Sequence, residues 1–125
     1  MFVAPEGEWH LFFEAYNSRR PTGGVIAHAT SENGRSWAYD RVVLKSDQHL
    51  SFPYVFRWDG DHYMIPETGA ADGRRIRLYR ADEFPYGWTE QDMLLTVDHR
   101  TDDAVVFRHN DRWWMLIGAS ETEST

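Results

Sequence analysis

One segment shows how the chain can fold: His49-Leu50-Ser51-Phe52-Pro53-Tyr54-Val55-Phe56-Arg57-Trp58-Asp59-Gly60-Asp61-His62-Tyr63-Met64-Ile65-Pro66-Glu67. It consists of two short apolar runs joined by Asp59-Gly60, a dipeptide typical of a tight hairpin turn. Aromatic and branched aliphatic residues dominate both runs, as is usual for β-strands. The segment therefore predicts two antiparallel strands.

The same pattern recurs along the chain with a period of about 50 residues. A shift of 51 residues places Phe56-Arg57 on Phe107-Arg108 and Tyr63-Met64 on Trp114-Met115. A shift of 53 residues relates the earlier run from His10 to Glu14 to the end of the first segment. Repeats of this length built from short strands are typical of β-propeller blades. Because no segment shows helical periodicity over three turns, the sequence predicts an all-β fold.

The repeat predicts a single domain, 1–125, with units of approximately 1–52, 53–103 and 104–125. The first two units are each expected to form a four-stranded antiparallel blade, whereas the third contains only two strands. A propeller needs about 4–8 blades to close, so this partial β-propeller of about two and a half blades leaves open sheet edges. We therefore expect either part of a longer chain or a homo-oligomer that completes the ring. A small β-sandwich with an accidental repeat is the alternative.

The composition argues against several classes of protein. A formal net charge of −7 and a pI near 5.2 make nucleic acid and anionic membranes poor partners. The chain has no cysteine, so disulfides and thiolate metal sites are excluded. The histidines are scattered without a metal-ligand spacing, and we expect no metal or cofactor. With no apolar run of membrane-spanning length and no recognisable signal peptide, a cytoplasmic protein is expected.

Several motifs resemble those of a known family. They are His49–Pro53, Tyr63–Glu67, Leu78-Tyr79-Arg80-Ala81 and Phe84-Pro85-Tyr86-Gly87-Trp88. On these motifs the chain resembles, over nearly its whole length, the N-terminal domain of glucosamine inositolphosphorylceramide transferases and its bacterial relatives. That domain is similar to the five-bladed β-propellers of furanosidase-type glycoside hydrolases, such as arabinanases, xylosidases and invertases.

The resemblance to furanosidase-type enzymes implies catalytic carboxylates on the first, third and fourth blades, around the central axis. The 51-residue shift aligns Phe52-Pro53 with Asp103-Ala104, so Asp103 matches the supporting carboxylate of the third blade. The first-blade position falls before Met1, and the fourth blade lies outside the sequence. Since glycoside hydrolysis requires two carboxylates, we expect that the isolated chain does not hydrolyse glycosides.

Three carboxylates at predicted strand ends are candidates for chemistry. Asp102 and Asp103 open a predicted strand, in which neighbouring residues point to opposite faces. We expect Asp103 to face the axis and bind a sugar hydroxyl; alternatively, both are solvated loop residues. Glu67 ends a strand, as Glu14 does one unit earlier. Glu67 is therefore either a general acid or hydrogen-bond acceptor, or a repeated capping or ion-pairing residue.

His49, Ser51 and Trp58 complete the set of candidate substrate-binding residues, together with Asp102. His49 either donates to a ligand hydroxyl or satisfies a loop carbonyl, and Ser51 lies beside it. Trp58 either stacks on a sugar ring or packs between blades. The sequence thus predicts a module that recognises a carbohydrate or glycoconjugate and is incomplete as a catalyst. The alternative is a non-catalytic interaction or self-assembling domain that accompanies a transferase.

Overall fold

A computed structural model describes residues 2–3, 7–16, 19, 23–68 and 75–120. The strands are β1 (Phe2–Val3), β2 (Trp9–Tyr16), β3 (Gly24–Ser31), β4 (Ala38–Leu44), β5 (Leu50–Trp58), β6 (Asp61–Thr68), β7 (Arg75–Glu83), β8 (Tyr86–Thr96), β9 (Arg100–His109) and β10 (Arg112–Ser120). Within these ranges every regular element is a strand, and no helix is long and apolar enough to cross a membrane.

The strands form three antiparallel sheets that follow one another along the chain. Strands β1–β4 make the first sheet, β5–β8 the second, and β9 and β10 the third. Within each sheet, strands that follow one another in sequence are paired. The all-β class and the succession of two four-stranded sheets and one two-stranded sheet are confirmed. The described strands do not close into a barrel, and their open arrangement is consistent with a partial β-propeller.

The same backbone irregularity marks the first strand of the second and third sheets. In β5, Phe52 adopts a φ of 38° where the pairing with β6 shifts register. In β9, Asp103 adopts a φ of 47° where the pairing with β10 shifts. In each case two residues bulge opposite one residue of the paired strand. The two bulges are 51 residues apart, which agrees with the shift seen in the sequence.

Two apolar clusters join the sheets face to face. The first lies between the first and second sheets and includes the fully buried Ile26, Leu50 and Met64. The second is smaller, lies between the second and third sheets, and includes Ile65 and Val106. Burying one such side chain stabilises a fold by about 1.5–3 kcal/mol. Apolar contact therefore supplies much of the attraction between sheets.

In the described part of the chain the third sheet has two strands, and part of the second sheet is left uncovered beside it. An open apolar cleft of about 440 Å³ results, with walls that include Leu78, Leu94, Trp113 and Trp114. Trp113 and Trp114 are 45% and 47% exposed. Uncovered apolar surfaces of this kind are typical of interaction sites. Association of copies across this apolar cleft stays a prediction.

The turn between β3 and β4 depends on side-chain hydrogen bonds. Asn33 Oδ1 accepts from the backbone N–H groups of Arg35 and Ser36 at 2.8 and 2.9 Å. We expect Asn33→Ala to lower the free energy of unfolding by about 1 kcal/mol, because two backbone donors lose their acceptor. Urea denaturation measures the change. Arg35→Ala is the matched control, since it retains its backbone N–H, and equal midpoints for the two variants would contradict this role.

Candidate functional site

The end of β6 and the bulge of β9 meet where the second and third sheets adjoin. Glu67 is the next-to-last residue of β6, and Asp103 lies in the bulge of β9. Ser51 of β5 is the cross-strand partner of Glu67. Asp102 lines the same place as Glu67 and Asp103. The fold therefore gathers four of the predicted residues at one end of the second and third sheets.

Glu67 and Asp103 form a hydrogen-bonded carboxyl pair. Burial, the hydrogen bond to Asp103, and the negative charges of Asp103 and Asp102 together raise the pKa of Glu67 to about 7. A hydrogen bond with the Asp103 backbone acts in the opposite direction. The protonated form of Glu67 is therefore favoured up to near neutral pH, and in this form Glu67 donates a hydrogen bond to Asp103.

The carboxyl pair lines a narrow niche. Its free volume is about 10 Å³, which is room for about one water molecule or one hydroxyl group. Asp103 is exposed, whereas Glu67 is half-buried, so the niche opens to solvent on the Asp103 side. A ligand could therefore place a single hydroxyl group against both carboxyls.

A wider polar cleft of about 290 Å³ adjoins the niche, and Thr68 and Arg75 line both. The cleft also contains Gln48, Arg77 and Glu90. Arg77 Nη1 lies 2.5 Å from Glu90 Oε1, so a cation and an anion balance each other on its wall. The volume is at the lower end of the range for small-ligand sites. Mixed hydroxyl, amide, guanidinium and carboxylate groups suit a neutral polyol better than a strongly charged ligand.

Two arginines of β7 that could have formed an ion pair with Glu67, Arg77 and Arg80, have other carboxylate partners. Arg77 pairs with Glu90, and Arg80 Nη2 lies 3.8 Å from Asp82 Oδ1. The group that contacts Glu67 most directly is the acidic Asp103. Glu67 therefore sits in surroundings that favour its protonated form rather than in a simple ion pair.

His49 lies at the equivalent place between the first and second sheets. Its Nδ1 accepts a hydrogen bond from the Gly24 N–H at 2.8 Å, so the proton of the neutral ring is on Nε2. That nitrogen lies 3.4 Å from Glu14 Oε1. Glu14 thus contacts the segment before β5, much as Glu67 contacts β9. His49 meets a backbone donor, whereas the sequence suggested a backbone carbonyl or a ligand hydroxyl.

Trp58 lies at the other end of the second sheet. It is the last residue of β5, seven residues beyond Ser51, which corresponds to roughly 20 Å along an extended strand. Its ring packs edge-on against Trp113 with centres 5.2 Å apart, and the Arg108 guanidinium lies 4.8 Å from its centre. The structure therefore separates Trp58 from the carboxyl pair, and a sugar bound at the niche would not reach it.

The sequence did not predict a second polar cluster, which contains His10, His28, Asp40 and Tyr86. The histidines were regarded as scattered because each belongs to a different strand. One signal was available: in β2, His10 shares the buried face with Phe12, two residues further on. A polar residue on an otherwise apolar strand face indicates a buried partner.

The fold and the site together define a class of protein: an open all-β module with acidic groups where its sheets adjoin. The whole chain, residues 1–125, matches the family described as "Glucosamine inositolphosphorylceramide transferase 1, N-terminal", and it belongs to this family. The family resemblance inferred from the sequence motifs is thereby confirmed.

Curated relatives from plants carry the same name. The chain is 32% identical over 113 residues, 90% of its length, to glucosamine inositolphosphorylceramide transferase 1 of Arabidopsis thaliana. It is 30% identical over 106 residues, 85% of its length, to the protein of that name in Oryza sativa subsp. japonica. The matched region is 14% of each relative's length, so the chain spans a small part of these proteins.

Proposed function

We propose that residues 1–125 act as one module that recognises the hydroxyl groups of a carbohydrate or glycoconjugate and accompanies a glycosyl-transferring domain. The observation that carries this proposal is the hydrogen-bonded carboxyl pair beside a polar cleft. The relatives are named as transferases that involve glucosamine and an inositolphosphorylceramide, both of which contain hydroxyl-bearing rings.

The carboxyl pair is suited to one hydroxyl group in particular. A ligand group that accepts a hydrogen bond from protonated Glu67 and donates one to Asp103 can replace the hydrogen bond between the two side chains. A sugar hydroxyl does both at once, so it can take the place of a water molecule in the niche. An anion would be repelled by Asp102 and Asp103, which argues against a phosphate at this position.

Binding fits the geometry of the pair better than hydrolysis does. Glycosidases hold their two carboxyl groups about 5–5.5 Å apart for retention, or about 6.5–9.5 Å apart for inversion. A direct hydrogen bond between the Glu67 and Asp103 side chains is a different arrangement from both of these. The niche has room for about one hydroxyl group, and we therefore propose recognition without bond cleavage.

Isothermal titration with myo-inositol and, separately, with glucosamine tests the proposal. Asp103→Asn removes the charge but suits the left-handed backbone, because Asn tolerates positive φ. We expect this variant to bind at least about tenfold more weakly, the effect of one lost charge-assisted hydrogen bond. Trp58→Ala, at the distant end of the sheet, is the control. Equal affinity in the wild type and Asp103→Asn would refute the site, and no binding of either compound would refute the function.

Protein association is a second candidate function, favoured by the exposed tryptophans of the apolar cleft. We propose that copies of the module associate through this cleft. Light scattering over a broad concentration range is expected to show a discrete oligomer that Trp113→Ser and Trp114→Ser weaken. A monomer at every concentration would exclude this second function and leave the first unaffected.

A further inference from the structure

A chain of four hydrogen-bonded side chains runs across the first sheet and into the second. His10 Nδ1 of β2 lies 2.9 Å from His28 Nε2 of β3. His28 Nδ1 lies 2.9 Å from Asp40 Oδ2 of β4. The Tyr86 hydroxyl of β8 donates to the same oxygen at 2.5 Å. Three strands of the first sheet are thus connected to the last strand of the second.

The two imidazoles, here named the His10–His28 pair, are the buried part of this chain. His10 is 3% exposed and His28 is 0% exposed. Their ring centres are 5.2 Å apart, and Phe12 lies 4.9 Å from His28. The Phe84 ring packs edge-on against the His10 ring, with their centres 4.8 Å apart. Charge in such surroundings is unfavourable unless it is paired, so the number of protons on the pair affects the stability of the fold.

The hydrogen bonds determine where the protons lie. Hydrogen bonds from Tyr86 and then from His28 lower the pKa of Asp40 to about 2, so its carboxylate only accepts. His28 Nδ1 must therefore carry a proton. In a neutral His28 the Nε2 accepts, and His10 Nδ1 must donate to it. If His28 Nε2 also carried a proton, its N–H group would face the N–H group of His10 Nδ1 across 2.9 Å. No hydrogen bond could then form between the two rings.

Charged neighbours allow one imidazolium in the pair but oppose two. Glu8 Oε2 lies 3.6 Å from His10 Nε2 and stabilises one positive charge there. On the other side, the Arg41 guanidinium lies 4.6 Å from the centre of the Tyr86 ring and adds positive charge near Asp40. The titratable and charged groups near the pair in the described structure include Glu8, Tyr39, Asp40, Arg41 and Tyr86, and His62 stacks on the Phe84 ring that contacts His10.

We propose that the His10–His28 pair is an acid-sensitive clasp between the first and second sheets. Protonation of both rings removes the hydrogen bond between them and places two like charges in contact. Two of the contacts between the β7–β8 hairpin and the first sheet involve this pair, because Phe84 packs on His10 and Tyr86 donates to the Asp40 oxygen that also binds His28. The hairpin is therefore expected to loosen from the first sheet at acidic pH.

The proton balance gives the direction of the effect. An unfolded chain can protonate both histidines near pH 6, whereas the clasp accepts only one of these protons. Because the unfolded state binds more protons, acidification favours unfolding. A difference of one proton changes the unfolding equilibrium constant up to about tenfold per pH unit. The Tyr86 end of the hairpin should loosen before the whole chain unfolds.

The test compares urea unfolding of the 125-residue chain at a series of pH values from about 7.5 to 5, spanning the usual histidine range. His10→Asn is the informative variant, because its amide N–H can donate to His28 without titrating. As the pH falls over this range, we expect the unfolding equilibrium constant of the wild type to rise about tenfold more than that of His10→Asn. His99→Asn, which changes an exposed histidine, should behave as the wild type. Equal pH profiles for the wild type and His10→Asn would overturn the clasp.

A measurement on the wild type alone keeps the proposal testable if His10→Asn does not fold. Proton NMR titration follows both imidazole rings, and amide hydrogen exchange, corrected for pH, follows Tyr86 and its neighbours in β8. We expect faster exchange at Tyr86 as the second proton binds. If both rings take up a proton while exchange at Tyr86 stays unchanged, the clasp does not exist.

Discussion

Glu67→Gln is expected to flatten the dependence of stability on pH between about pH 4.5 and 7. In the wild type the folded state raises the pKa of Glu67 from 4.5 to about 7. Its protonated form therefore stabilises the fold fully below about pH 4.5, and this stabilisation is lost as the pH rises through about 7. A pKa shift of this size corresponds to about 3 kcal/mol in the free energy of unfolding, but Glu67 is only half-buried. Solvent screening reduces it to about 1–2 kcal/mol.

Urea denaturation at pH 5 and pH 8 measures this effect. The glutamine stays neutral at both values, so the variant should be more stable than the wild type at pH 8 and similar to it at pH 5. Glu14→Gln is the matched control, because Glu14 lies near the end of β2 as Glu67 lies near the end of β6, but it faces His49 instead of an aspartate. Parallel pH profiles for the wild type and Glu67→Gln would show that the carboxyl pair does not share a proton.

Leu50→Ala is expected to lower the free energy of unfolding by about 2–5 kcal/mol. Leu50 is fully buried in the cluster that joins the first and second sheets. Its removal would leave a cavity between the sheets, because the strands on both sides are held by their own hydrogen bonds. Its neighbours in sequence are His49 and Ser51, so the candidate site should loosen as well.

Chemical denaturation of Leu50→Ala and, in parallel, of Leu95→Ala distinguishes the loss of a buried leucine from the loss of an exposed one. Leu95 is 39% exposed, and its truncation should cost less than about 1 kcal/mol. A similar loss in the two variants would mean that Leu50 is not part of the structural core.

The repeat made the succession of sheets predictable, whereas the bulges hid where the strands begin. Tyr54 was expected to start a strand, but β5 begins at Leu50. Pro53 is an unusual residue for a continuous strand, since proline cannot donate within a ladder. In the structure it follows Phe52 in the bulge, where the pairing is already interrupted. The sequence opens the first strand of the third unit at Asp102 and Asp103, whereas β9 begins at Arg100.

The candidate site was predictable in position but not in chemistry. The 51-residue shift pointed to Asp103, and strand ends pointed to Glu67. That these carboxyls share a proton depends on burial and on atomic distances, which sequence spacing does not encode. The polar chain through His10 and His28 could not be foreseen, because it joins residues of four different strands. Ligand binding by His49, Ser51, Asp102 and Asp103 stays a prediction.

The bulge has a consequence for how such modules diversify. Its left-handed backbone disfavours most side chains, but aspartate and asparagine adopt it with little strain. A change from Phe52 to aspartate would therefore relieve the backbone while placing a carboxylate at the start of the second sheet, the position equivalent to that of Asp103. Acidic recognition sites could in this way be gained or lost, one sheet at a time, by single substitutions that leave the fold intact.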